Sequence, residues 1–350
     1  MDINTVWEDY GLDKLEAGVQ QLFPETEISA GQLLEQVANG DIFGALGGLI
    51  SEAVKGIAGQ TASIRNVFIC LLVLGIVSSL ITHFVEIFDM HQVADLSFYF
   101  MYLLFMAILL KCFVQAAETA AAALENITLF VRLLAPAYLL AVGVSGGSAT
   151  AAVSCQLLLL VIYGVECILA QFIIPLVYSF VMLSLINGIW GEEKLTLLLE
   201  LLEKAVGWVL KGAVGVITGI SVFQALITPV VDSVRKSALQ KVVSAIPGVG
   251  NVADGAMELV LGSALVIKNS IGVVFLLLML TLCAVPLLKI GVMAGVLKCA
   301  AAFMGLVSDR RITACVNRAG DAGLLLLRTT GTAMLLFLIS VAVVTAAGKT

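Results

Sequence analysis

The chain has 350 residues, of which 60% are hydrophobic and 13% charged, with a formal net charge of -6. Soluble domains run near 45–50% apolar and about 25% charged, and a large soluble bundle does not account for so many long uncharged segments in series. The acidic balance and the absence of any basic stripe argue against a nucleic-acid role.

Residues 1–60 are polar to amphipathic. Leu12, Leu15, Val19, Leu22 and Phe23 recur at helical spacing until Pro24 stops the pattern. A second helix is expected around Leu33, Leu34 and Val37, ended by Asn39 and Gly40. Asp41 then caps a third, carrying Phe43, Leu46, Leu49, Ile50 and Val54. Residues 1–65 are therefore read as an extramembrane region of short helices with too little apolar surface for a strong core of their own. The chain opens on an acidic segment where a cleavable signal would need a basic flank and an apolar run.

From Asn66 to Val344 the chain is mostly apolar. A hydrocarbon core about 30 Å thick takes roughly 20 helical residues to span. Crossings are predicted at 66–87, 96–116, 127–143, 150–170, 172–189, 206–228, 267–288, 290–308 and 322–345. Pro175 leaves two crossings or one kinked helix open between Ser154 and Ile189. Pro286 and Lys289 leave a tight hairpin or one broken element open further on. The expected fold is all-α, a polytopic integral membrane protein with about seven to nine membrane segments plus amphipathic helices. The amphipathic pieces are an interfacial helix at 191–205, with Glu193, Glu200, Glu203 and Lys204 on one edge, and a helical hairpin at 229–265 that turns at 246–251. Arg310, Arg311 and Arg318 are expected in the loop between the last two crossings, which favours the cytoplasm for that loop. Charge counting leaves the side of the N-terminal region open.

Ionisable groups within apolar segments are costly, and each marks a candidate site. Lys111, Glu118 and Glu125 follow at intervals of seven and share a face if the helix continues between them. The alanine-rich sequence around them permits close helix packing, with the carboxylates turned to a seam or an aqueous lumen; a wet helix end or an ordinary loop would carry the same residues. Glu166 lies deeper and is a candidate for a lumen or coupling role, against a structural hydrogen bond. Arg132, Lys211, Lys268, Lys289 and Lys298 are long enough to snorkel to an interface. Gly143, Ser145, Gly146, Gly147 and Ser148, within GVSGGSAT, form a candidate helix break of the kind transporters use to hold ions or substrates; a plain turn needs the same residues. The seven cysteines sit mostly within apolar helices and read as small buried hydrophobes. No HExxH, G-x-S-x-G or Walker pattern occurs. The chain is accordingly read as non-enzymatic, with no catalytic residues, cofactor or metal.

Four segments in order, LLAPAYLLAVGVSGGSATAA, PLVYSFVMLSLING, 237–273 and LLKIGVMAGVLKCAAAF, resemble the stage III sporulation protein AE family of endospore-forming bacteria. The resemblance covers nearly the whole chain after the N-terminal helices, and brings no catalytic or ligand residues with it. It implies a component of the channel joining mother cell and forespore, in the mother-cell-derived membrane around the engulfed forespore. The implied partners are the other proteins of that complex, including its ATPase and ring-forming components. Family members usually begin with a secretion-type hydrophobic segment, so the resemblance places residues 1–65 outside the cytoplasm. The residues themselves suit a homo-oligomer in the lipid bilayer, with no nucleic acid. A secondary transporter of a small solute and a non-conducting scaffold for the ATPase and rings are the alternatives.

Overall fold

The computed structural model describes residues 41–87, 91–144, 163–189, 195–243 and 250–347, together with Leu33, Gln36 and Val37. These residues form long helices: α1 (Ile42–Ile87), α2 (His91–Val144), α3 (Tyr163–Asn187), α4 (Thr196–Val243), α5 (Gly250–Met304) and α6 (Arg310–Ala347). Among the described residues, five helices contain stretches long and apolar enough to cross a membrane: Ile64–Val85, Asp95–Phe130, Tyr163–Asn187, Leu276–Met304 and Arg310–Ile339.

Several expected boundaries are absent. The Asp41 cap is in place, its Oδ1 accepting the Gly44 N–H at 2.9 Å, but the helix it starts runs on without a break through the first predicted crossing. The predicted crossings at 96–116 and 127–143 are one helix of 54 residues, about 81 Å long at 1.5 Å per residue. Alanine and glutamate are strong helix formers, so a charged tract rich in both ends nothing. The predicted pair at 267–288 and 290–308 is likewise one helix, α5, with Pro286 inside it. Proline is tolerated there because helix neighbours and local adjustment re-satisfy the freed carbonyl. Arg310, Arg311 and Arg318 belong to α6 itself, not to a loop; the turn before it holds only residues 305–309.

Pro175 lies within one continuous helix, Tyr163–Asn187, across the described part of that stretch. Leu169–Ile173 form a π turn in which the Ile174 N–H donates to the Leu169 carbonyl, five residues back. The wider turn absorbs a ring that lacks a donor.

Helices α5 and α6 make a hairpin at the centre of the bundle. Helices α1 and α2 pack on α5, α3 and α4 pack on α6, and α2 also reaches α6. In lipid the hydrophobic effect does not distinguish helix from tail, so close packing of small side chains holds such a bundle together. Ala294, Ala300 and Ala301 of α5 and Ala319 and Ala322 of α6 are all buried. A Cβ on Gly323 would stand 2.9 Å from that of Ala294, so only glycine permits this approach.

Candidate functional site

Helix α2 places Lys111, Glu118 and Glu125 together on one exposed face, because the helix does continue between them. Glu118 lies within electrostatic reach of Tyr178 on α3, whose ring meets Phe113 edge-on at 5.1 Å. Glu166 is buried at 8% exposure on α3, one turn before the π turn. Gly143 is the penultimate residue of α2; Ser145, Gly146, Gly147 and Ser148 lie outside the described residues.

The α3–α4 junction is fixed by two residues whose role was not apparent in the sequence. The Tyr102 hydroxyl, from α2, donates to the Leu185 carbonyl at 2.7 Å. A Cβ on Gly188 would collide with that hydroxyl. Asn187, wholly buried, accepts the Leu195 N–H at 3.0 Å and so supports the start of α4.

At the α5–α6 turn, Asp309 caps α6 by accepting the Arg311 N–H at 2.7 Å, and the Arg311 guanidinium lies over the Phe98 ring at 5.3 Å. A cavity of about 240 Å³ opens here between the end of α1 and the start of α2, lined by Ser78, Thr82, Asp95, Ser97, Asp309 and Arg311 among others. Two carboxylates and a guanidinium mark this as a wet end of the bundle.

From that end a polar edge runs along α5 and α6. The Lys298 ammonium donates to Asp321 at 2.6 Å and to Asn317 at 2.8 Å. Its stem crosses Gly320, where a Cβ would stand 3.0 Å from Cγ and Cδ. Further along, Arg328 faces Glu203 of α4 at 3.8 Å. The edge looks outward: side-chain exposure is 30% for Lys298, 45% for Asp321, 53% for Glu203 and 67% for Arg328. Lys298, expected to snorkel, is thus held by a cross-helix partner. The signal for this edge was present as the spacing of Arg310, Asn317, Asp321 and Arg328, which repeats every seven, four and seven residues. Its first member, Arg310, falls where the sequence predicts a loop. On α4, Lys204 bonds Glu200 at 2.7 Å and holds its carboxyl below the ordinary carboxylate value.

Of the cysteines described, Cys112, Cys283 and Cys315 are buried as expected, Cys167 is half-buried, and Cys70 and Cys299 are exposed; all six are free thiols. No cluster of three metal-type ligands occurs among the described residues.

The family described as stage III sporulation protein AE matches this chain over residues 28–348. A curated relative, the stage III sporulation protein AE of Bacillus subtilis (strain 168), is 22% identical over 263 residues, covering 75% of this chain and 66% of that protein. The matched part therefore spans just under two thirds of that relative's length. No solved structure matches.

Proposed function

Because the chain belongs to the stage III sporulation protein AE family, we propose that it is a non-catalytic, homo-oligomeric membrane component of the sporulation channel linking mother cell and forespore. It acts in the mother-cell-derived membrane, beside the complex's ATPase and ring-forming proteins, and supports the transport or secretion that forespore development needs. The amphipathic segments at 1–60 and 229–260 cap or collar the pore.

The observation that carries this reading is the outward placement of charge on helices that are otherwise apolar. Lys111, Glu118 and Glu125 are exposed on α2, as are Asp321 and Arg328 in part on α6. A charged side chain at the bilayer centre costs about 2.5–3.5 kcal/mol on insertion scales. Water or a neighbouring copy on these faces removes that cost, and a polar-lined lumen between copies supplies both.

Glu166 favours a second reading, a secondary transporter. It is buried beside a π turn, and such turns often mark functional sites. Recordings and uptake assays on the purified assembly separate the readings. Stepwise conductance without gradient coupling is the expected result. Saturable, gradient-coupled uptake abolished by Glu166→Gln would establish the transporter. Flat recordings with intact partner binding would leave a scaffold.

A further inference from the structure

At one level of the bundle, two flanks differ in character. Helix α1 packs on α5 where Ile64 and Met293 share a buried cluster with Cys112 at one height and where Gly75 meets Met304 at another. Between and beyond these contacts the outer face of α1 is Ile69, Val73, Ile76, Val77 and Leu80, all exposed. That face suits lipid. Lys298 lies in the same interval of α5, between Met293 and Met304, and leans the other way, across Gly320 to Asp321 and Asn317. The same cross-section therefore presents apolar side chains on α1 and an ion pair on the edge formed with α6.

The polar edge has the length of a crossing. On α6, Arg310, Ala314, Asn317, Asp321, Leu324 and Arg328 follow at alternating intervals of four and three, which keeps them in one stripe, and each is exposed or half-exposed. The eighteen helical steps from Arg310 to Arg328 extend about 27 Å, against a hydrocarbon core of about 30 Å. The stripe starts at the wet end marked by Asp95, Asp309 and Arg311.

Among the described residues its hydrogen bonding is incomplete. A guanidinium has five donors, and Arg328 meets Glu203 only at 3.8 Å with two thirds of its side chain exposed. Lipid offers nothing to the remaining donors. A dry protein contact would leave them unsatisfied unless it matched each one. The edge lies on the outside of the bundle, so a lumen along it needs a second wall, and cyclic symmetry supplies the same edge from each neighbouring copy.

The geometry points to the α5–α6 edge as the wall of an aqueous path at the seam between copies of this chain, open to water and small hydrophilic ions. This inference rests on the homo-oligomeric membrane reading above. The alanine- and glycine-rich packing of α5 on α6 sets the register that keeps Lys298, Asp321 and Asn317 on that wall.

The test is cysteine labelling of the full chain in native membranes, in a background whose own cysteines are replaced by alanine or serine. Ala314→Cys, Asn317→Cys and Leu324→Cys sample the stripe; Ile76→Cys and Leu80→Cys sample the outer face of α1. The probe is a permanently charged, water-soluble methanethiosulfonate. Only a thiolate reacts, and a thiol in hydrocarbon does not ionise, so the stripe should react at least about tenfold faster than α1. Slow labelling at the stripe together with copper-catalysed cross-linking between copies would overturn the aqueous path and leave the oligomer standing. Slow labelling there without cross-links would place the edge in lipid and overturn the inference. Fast labelling on α1 as well would remove the membrane reading itself. Three stripe positions are used so that one poorly folding variant does not decide the outcome.

Discussion

At the scale of single residues, the account depends on contacts that leave no room or no alternative partner. Gly188 sits where any Cβ would strike the Tyr102 hydroxyl, while that hydroxyl holds the Leu185 carbonyl. Gly188→Ala should destabilise the detergent-solubilised protein by about 1–3 kcal/mol through overpacking. Tyr102→Phe should cost about 1 kcal/mol for the lost hydrogen bond. Because the same hydroxyl is involved, the double variant should cost clearly less than the sum; strict additivity in denaturant titrations would refute the contact. The Lys298–Asp321 pair gives a sharper case, since its cost of removal depends on what surrounds it. Asp321→Ala should cost no more than about 1 kcal/mol if water reaches the edge. An ammonium stranded in lipid would raise the loss to about 3 kcal/mol, a value that unfolding measurements in lipid bicelles would resolve.

At the scale of elements, the α5–α6 hairpin is the part on which the others pack. Gly323 allows α6 to approach Ala294, and a large side chain there should separate the pair. Gly323→Leu is expected to lower the apparent melting temperature and to part the two helices, read as loss of a cross-link between engineered cysteines at 291 and 327, which approach each other across the seam. An unchanged cross-link would show that the seam tolerates bulk. The apolar character of these helices was legible from composition and window length alone, as was the cap at Asp41. Their continuity was not. Charge and proline suggest punctuation at 117–126, at Pro286 and at Arg310, yet helix propensity in the first case and bundle packing in the second carry the chain straight through. The shared face of Lys111, Glu118 and Glu125 was readable as a spacing conditional on that continuity. The clasp of Tyr102 on Leu185 joins residues 83 apart in the chain, and no periodicity reports such a pairing. The partner of Lys298 was hidden for the same reason: Asp321 lies on the next helix, 23 residues on.

At the scale of the whole molecule, the bundle has an apolar flank on α1 and a polar edge on α5 and α6, and its helices other than α3 are much longer than a bilayer is thick. A single copy in lipid leaves Asp321, Arg328 and the α2 carboxylates facing the wrong medium. A ring of copies turns one such face toward a shared interior and the Ile69–Leu80 face of α1 toward lipid. Removing the α2 carboxylates together, with Glu118→Gln and Glu125→Gln, tests whether they share that interior. The reading as lumen-facing groups predicts a changed ion selectivity of the reconstituted assembly with its subunit number intact; unchanged selectivity would assign them to a wet helix end. The most direct measurement of the central claim is electron cryo-microscopy of the membrane-extracted assembly at side-chain resolution. The account predicts a cyclic ring of this chain with Asn317, Asp321 and Arg328 on a continuous water-filled passage and Ile76 and Leu80 against the detergent belt. A strictly monomeric particle, or a ring with α6 buried in that belt, would contradict it.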